Sequence, residues 1–205
     1  MSSAVRACWA VVAALAASLA AVPCTHAADA ADPHAHHHVV PETQRSQRSY
    51  TVPAVSLVRD DGTGVSLASE LADTRPVVLN FIYTTCTSVC PLTSQTFSDL
   101  QRKLGAARDA VHLVSISIDP EQDTPARLRD YAKKFEAGPG WQHYTGTVAA
   151  SVAAQRAFDV YRGDKMSHAP VTLLRASPGA PWVRIDGFAS ADQLLAELRP
   201  MVAMR

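Results

Sequence analysis

A short apolar run at residues 76–83 passes almost directly into the start of a helix, and two cysteines lie at this junction. The run predicts a buried strand, and Pro91 suits the first helical position because an N–H there would have no partner. Cys86 and Cys90 fall between the two signals, spaced as CxxxC. Partial positive charge at a helix N-terminus favours the thiolate, which is both a nucleophile and a soft metal ligand.

The spacing of the two cysteines favours a metal over a disulfide. In a regular helix their Cβ atoms would be about 5–6 Å apart, whereas a disulfide needs about 3.5–4.5 Å. A metal at about 2.3 Å from each sulfur, as in zinc sites, tolerates the wider gap without strain. A disulfide remains compatible with the spacing if the backbone bends.

The first 27 residues predict a signal peptide, because a basic residue is followed by an Ala-rich apolar segment and then by small residues. The segment is short for a bilayer span, which needs about 20 residues, so a membrane anchor is expected only if it stays uncleaved. Cleavage after Ala27 or Ala28 would remove Cys8 and Cys24 and leave Cys86 and Cys90. One close pair in an oxidising, periplasmic location indicates chemical use of the cysteines, since disulfide scaffolds need several bridges.

Residues 28–49 predict a flexible leader, because they are polar and lack apolar periodicity. Its histidines are a candidate weak metal-gathering cluster, with a solubilising linker as the alternative: His34, His36, His37 and His38. Residues 50–205 suffice for one domain with its own core. The chain has 19 acidic and 19 basic residues, well mixed along its length, and nothing in them suggests nucleic-acid binding.

Periodicity and capping signals beyond the leader alternate between strand and helix. The predicted elements are a hairpin (strands at 50–57 and 65–67), strands at 76–83, 111–118, 171–174 and 182–188, and helices at 91–104, 125–135, 148–161 and from a capping box at 190–193. This order predicts an α/β thioredoxin-like fold, a central mixed sheet flanked by helices, with an added N-terminal hairpin. Ligands in such sheets gather at the carboxyl ends of strands, where the cysteines fall.

A metal held by the cysteines needs a further ligand from a loop at the same end of the sheet. His168, directly before the strand at 171–174, is the candidate, whereas His112 and His143 lie on other connections. Met166 is also a soft ligand type, although methionines are common in loops. Thioredoxin-like domains often place a cis-proline at the start of this strand. We therefore predict a cis peptide bond between Ala169 and Pro170, although most X–Pro bonds in folded proteins are trans.

Asp119 and Asp123 follow the second central strand, close to the cysteines in this topology. They could tune the site by accepting hydrogen bonds around the ligands. The simpler interpretation is that Asp119-Pro120 forms a turn and that Asp123-Thr124 supplies helix caps.

Four segments together resemble the SCO/SenC family of thioredoxin-like copper proteins, which serve assembly of the cytochrome oxidase copper centre. They are NFIYTTCTSVCP (80–91), SISIDPEQDT (115–124), YTGT (144–147) and the region around His168. The resemblance covers about residues 51–202. It implies a metal held by Cys86, Cys90 and His168, and a copper-acceptor partner such as an oxidase subunit. The chain departs from the family at Thr87, where many members have proline, and at Ser167, where an acidic residue is common.

Two thiolates and one imidazole suit copper, because thiolate stabilises Cu(I) and imidazole binds either Cu(I) or Cu(II). Zinc could occupy the same ligands, but no H-E-x-x-H or comparable general base accompanies them.

Two enzymatic alternatives use the cysteines alone. A thiol–disulfide oxidoreductase would form a redox-active disulfide between Cys86 and Cys90 while it reduces a copper-acceptor protein, and would itself need a thiol reductant. A thiol peroxidase would match the T-x-x-C pattern from Thr87 to Cys90, although Tyr83 stands where peroxiredoxins have proline. His168 distinguishes these functions, because copper chaperoning needs it and thiol exchange should survive its loss.

Overall fold

The computed structural model describes residues 42–203. The predicted signal peptide and the four leader histidines lie outside the described residues. Within them, no helix is long and apolar enough to cross a membrane.

Within residues 42–203, eight strands form one mixed sheet with five helices around it. The strands are β1 (Gln44–Arg48), β2 (Ser56–Arg59), β3 (Gly64–Ser66), β4 (Val77–Ile82), β5 (His112–Ser117), β6 (Trp141–Gly146), β7 (Val171–Arg175) and β8 (Trp182–Asp186). The helices are α1 (Leu67–Glu70), α2 (Val89–Leu104), α3 (Pro125–Lys134), α4 (Val148–Ala157) and α5 (Ala191–Ala203), with 3-10 turns at Gly105–Ala110 and Lys165–Ser167. The strand order across the sheet is β1-β8-β7-β4-β5-β6-β2-β3.

The central strands place the functional loops at one end of the sheet. β4, β5 and β6 run parallel, whereas β7 runs antiparallel to β4, with Thr172 opposite Asn80. The carboxyl end of β4 therefore lies beside the amino end of β7. This topology confirms the thioredoxin-like prediction and brings the cysteine junction next to the chain that carries His168.

The sheet buries a separate apolar cluster on each face, because side chains alternate along a strand. Val78 and Ile82 of β4 pack with α2, α3 and α5 on one face, in the cluster that also contains Cys86 and Cys90. Phe81 packs on the other face, against α4 and the residues that follow it. All six residues of β4 are buried, as are all six of β5, as expected for strands that are covered on both faces.

Two strands were not predicted, and both depend on pairing with distant segments. β1 lies in the segment predicted as a flexible leader, so that boundary is wrong: Gln44–Arg48 pair with β8, and Arg45 binds Glu197 through two hydrogen bonds of 2.6 and 3.0 Å. β6 is interrupted by polar residues in the sequence, yet it pairs with both β5 and β2. The predicted hairpin forms as β2 and β3, although β2 is shorter and later than expected.

Three local predictions also need correction. α4 ends at Ala157, before the expected end at 161, and Asp159 beyond it has a positive φ of 55°. The Ala169–Pro170 bond is trans, so the cis prediction is wrong. Only half of the predicted capping box forms: the Ser190 hydroxyl accepts the Gln193 N–H at 3.1 Å, while the Gln193 side chain donates to Thr43 at 2.9 Å.

Candidate metal centre

The cysteine pair lies where β4 turns into α2. After Ile82 the chain makes a tight turn, in which the Cys86 N–H donates to the Tyr83 carbonyl at 3.2 Å. α2 then begins at Val89. Cys90 is therefore in the first helical turn and Cys86 lies before the helix, so the Cβ separation of a regular helix does not apply to this pair.

Both cysteines are free thiols, buried under the first turn of α2. Cys86 is 8% exposed and Cys90 is fully buried. The Cys90 N–H donates to the Cys86 sulfur at 3.3 Å, and the Tyr83 N–H donates to the Cys90 sulfur at 3.5 Å. The Ser88 side chain makes no capping bond, so the Cys86 sulfur accepts a helix N–H that would otherwise have no partner.

The same contacts separate the acidities of the two thiols. Burial opposes ionisation of Cys86, but the backbone N–H groups of Cys90 and Ser88 outweigh it and lower the pKa of Cys86 to about 7. Burial raises the pKa of Cys90 well above its usual range, and the neighbouring Cys86 and Asp123 reinforce this. The helix terminus therefore stabilises a thiolate at Cys86 but not at Cys90.

Asp123 holds the turn before Cys86 in place. Its buried carboxylate accepts the Thr84 N–H at 3.2 Å, the Thr84 hydroxyl, and the Ser117 hydroxyl at 2.6 Å. The cap of α3 comes from Thr124, whose hydroxyl accepts the Arg127 N–H at 3.3 Å, so the cap predicted at Asp123-Thr124 forms through Thr124 and not through Asp123. Its carboxylate instead ties the end of β5 to the segment that leads to Cys86.

Asp119 forms the predicted turn and also contacts the loop that carries His168. Its carbonyl accepts the N–H groups of Gln122 and Asp123 at 3.0 and 2.9 Å. Its carboxylate binds the ammonium group of Lys165 at 2.6 Å. This ion pair joins the end of β5 to the 3-10 turn before His168.

His168 lies just before β7, beside the carboxyl end of β4, and its ring is hydrogen-bonded to the backbone of β4. Its Nε2 is 3.0 Å from the Phe81 carbonyl oxygen. A carbonyl only accepts, so Nε2 carries the hydrogen and Nδ1 keeps a free lone pair. Burial lowers the pKa of His168; the bond to Phe81 raises it, and Arg162 lowers it further. The net lowering favours the neutral form, which is the form that binds metals.

His168 also lines a cavity of about 470 Å³ with residues of α4 and of the segment after it, including Val152, Val160 and Tyr161. Neither cysteine lines this cavity. Within residues 42–203, no three His, Cys, Asp or Glu side chains are grouped closely enough to hold a metal ion. The structure thus brings Cys86 and Cys90 together and leaves His168 on a neighbouring segment that must shift to join them.

The remaining histidines of the described domain are buried in the sheet. His143 is fully buried in β6 and packs on Trp141, with ring centroids 4.9 Å apart. His112 begins β5, at the end opposite Ser117, and its Nδ1 is 3.6 Å from Asp73. Burial lowers the pKa of His143 to about 3 and that of His112 to about 4.

Tyr83 is a site residue that sequence reasoning did not identify. Besides its N–H contact with Cys90, its hydroxyl lies 3.8 Å from the Met166 sulfur. Burial and the neighbouring Cys86 raise the pKa of Tyr83 to about 12, so its phenol stays protonated. Its position between the apolar strand and Cys86 was the only signal in the sequence.

Comparison with solved structures gives the same fold with extensive coverage. Arabidopsis thaliana ScoI, solved with copper bound, is 26% identical, with a TM-score of 0.61 over 75% of this chain and 99% of that chain. BsSco, a member of the Sco family of cytochrome c oxidase assembly proteins whose structure was described for a disulfide switch, is 25% identical, with a TM-score of 0.64 over 78% of this chain and 98% of that chain.

Sequence comparison leads to the same group of proteins. The SCO1 protein homolog of Bacillus subtilis (strain 168) is 33% identical over 99 residues, which are 48% of this chain and 50% of the relative, so the match spans about half the length of that protein. The family model described as SCO1/SenC matches residues 43–203, which include the cysteine junction, the Asp119 turn and the His168 segment. The chain therefore belongs to the SCO1/SenC family.

Proposed function

We propose that this protein is an exported copper metallochaperone, which binds copper through Cys86, Cys90 and His168 and delivers it to, or prepares, the copper centre of a respiratory oxidase. The observation that carries the proposal is the pair of free thiols at the β4–α2 junction, one with a pKa of about 7. Copper in the related ScoI structure and the oxidase-assembly role of BsSco support it.

The two cysteines have different tasks in this proposal. The Cys86 thiolate exists at neutral pH and attracts the incoming ion, because soft thiolates favour Cu(I). Cys90 is protonated until copper arrives, so it releases its proton as it binds. The contacts that hold the junction keep both sulfur atoms in place without the metal.

His168 completes the ligand set by leaving the Phe81 carbonyl. The movement breaks one hydrogen bond of 3.0 Å and frees a ring that is already neutral. The segment before it is held by side-chain contacts: the Lys165–Asp119 ion pair and the Asp164 carboxylate, which accepts the Met166 N–H at 2.9 Å. Such contacts near the surface are weak, which suits a ligand that has to bind and then release its cargo.

Copper titration of the mature chain tests this function. We expect one tightly bound copper per wild-type chain, and we expect His168→Ala to lower Cu(II) affinity at least tenfold and to change the sulfur-to-Cu(II) charge-transfer absorption. Arg162→Ala is the matched control, because it alters the same segment without removing a ligand. Unchanged affinity together with unchanged absorption in His168→Ala would contradict the three-residue ligand set.

The unequal acidities of the thiols also support a second candidate function, thiol–disulfide exchange. Cys86 would attack a disulfide of the copper-acceptor protein, and Cys90 would resolve the mixed disulfide and leave Cys86–Cys90 oxidised. A thiol reductant would then restore the pair. Loss of copper affinity in His168→Ala with full thiol exchange would show two separable activities, whereas exchange without any tight copper binding in the wild type would favour the oxidoreductase.

We further propose that the leader histidines gather copper without forming part of the tight site. β1 joins the leader to the sheet with Gln44 opposite Asp186, which also pairs with Val171 at the start of β7. β1, the first strand that the structure describes, therefore begins near the His168 segment. Deleting residues 28–40 keeps β1, and we expect copper affinity to change by less than tenfold, or about 1.4 kcal/mol. A larger loss would make the leader part of the site.

A further inference from the structure

Met166 is the most exposed large apolar side chain among the described residues, with 74% of its surface accessible. It lies in the 3-10 turn Lys165–Ser167, which polar contacts of Asp164 and Lys165 hold at its amino-terminal side. Apolar packing therefore does not account for a methionine here, and its thioether is a soft donor of the kind that binds Cu(I).

The thioether is close to the cysteine pair, with Tyr83 between them. The Tyr83 hydroxyl donates to the Met166 sulfur at 3.8 Å. The same side chain interacts with Cys86, and the Tyr83 N–H donates to Cys90. One tyrosine thus contacts all three sulfur-bearing residues.

In the present conformation, the His168 ring does not lie with the cysteine pair. Its ring is bonded to the Phe81 carbonyl and lines the cavity beside α4, away from the cysteines. Met166 therefore provides the third soft ligand near the pair before His168 moves. An exposed methionine can follow an ion readily, since three rotatable bonds separate its sulfur from the backbone.

We propose that Met166 is a transient Cu(I) ligand, which completes a three-sulfur site with Cys86 and Cys90 until His168 replaces it. This inference rests on the proposed copper function. Copper stays Cu(I) throughout: Cys86 binds as the thiolate, the Cys90 thiol releases one proton to solvent as its Cu–S bond forms, and the neutral thioether binds and leaves without a proton. His168 Nδ1 then takes the position that the Met166 sulfur gives up.

Selenium labelling tests this ligand directly. The selenomethionyl full-length mature chain with His168→Ala holds the site at the earlier stage, and Cu(I) is supplied as its bicinchoninate complex. X-ray absorption at the copper edge should show two Cu–S contacts and one Cu–Se contact. The Cu–Se contact should vanish in His168→Ala/Met166→Leu, which retains selenium at Met201 and Met204 as the internal control.

Copper held by two sulfurs with no selenium neighbour in the His168→Ala protein would overturn the role of Met166 and leave the proposed function intact. Failure of Cu(I) to bind through Cys86 and Cys90 would overturn both. In the otherwise wild-type chain, stopped-flow uptake should slow at least threefold in Met166→Leu while the final affinity is unchanged. Equal uptake rates would exclude a part in loading.

Discussion

The cysteine junction and the His168 segment meet at one end of the sheet but are held in opposite ways. At the junction, Cys86 and Cys90 are buried and the preceding turn is tied by a buried carboxylate, Asp123. In the other segment, Met166 is largely exposed and Lys165 is partly exposed, and side-chain contacts supply most of the attachment. Regions with few buried contacts open at low free-energy cost. The comparison indicates a site with two unlike halves. The fixed half is the junction that carries Cys86 and Cys90, and the adjustable half is the segment from Lys165 to His168.

The largest effect is expected at the fixed half. Cys86→Ser or Cys90→Ser should weaken Cu(I) binding by at least about 1,000-fold, or about 4 kcal/mol, because each removes one of the two thiolates of the site. Competition with a chromophoric Cu(I) chelator measures this. Thr87→Ser is the control, since Thr87 is exposed between the two cysteines. Tight binding in either cysteine variant would show that the junction is not the copper site.

Asp123→Ala tests whether the fixed half depends on its buried carboxylate. The change leaves the N–H and hydroxyl of Thr84 and the hydroxyl of Ser117 without their acceptor. The free energy of unfolding should fall by about 2–3 kcal/mol, as measured by urea denaturation. Asp130→Ala on the exposed side of α3 should change it by less than about 0.5 kcal/mol. Equal effects would mean that Asp123 does not organise the junction.

The pH dependence of alkylation tests the difference between the two thiols. The thiolate reacts, and it predominates above the pKa. Labelling of Cys86 by iodoacetamide should therefore rise about tenfold per pH unit below pH 7 and level off above it, while Cys90 stays unlabelled. Peptide mass spectrometry separates the two. In urea the Cys86 midpoint should move up to about pH 8.5, the value of an unperturbed thiol. The same midpoint in folded and unfolded protein would exclude the backbone N–H groups as the cause.

The smallest effect is expected in the adjustable half. Lys165→Gln removes the ion pair with Asp119 and loosens the segment that keeps His168 away from the cysteines. Copper uptake should become about two- to fivefold faster, with an unchanged urea midpoint. Lys133→Gln, at an exposed ion pair on α3, should leave uptake unaltered. Slower uptake in Lys165→Gln would mean that the ion pair holds the segment in its binding position.

Local sequence signals were sufficient for much of the fold and for half of the site. The apolar run at residues 76–83 and the proline at position 91 fixed the ends of β4 and α2 to within about two residues. The helix cap at Thr124 followed from residue type alone. These signals depend only on neighbours along the chain, so the cysteine junction could be located before any tertiary contact was known.

The remaining features depend on contacts between distant segments, which no local pattern encodes. β1 is polar and forms because the edge of β8 offers it backbone partners, and β6 is stabilised by strands on both sides. The sequence by itself determined which residues carry soft ligands and at which junction two of them lie. Only the tertiary structure decided that Cys86, which accepts the Cys90 N–H, is the acidic thiol. It also decided that His168 is bonded to the Phe81 carbonyl, because β4, the strand beside β7, offers that acceptor near its carboxyl end.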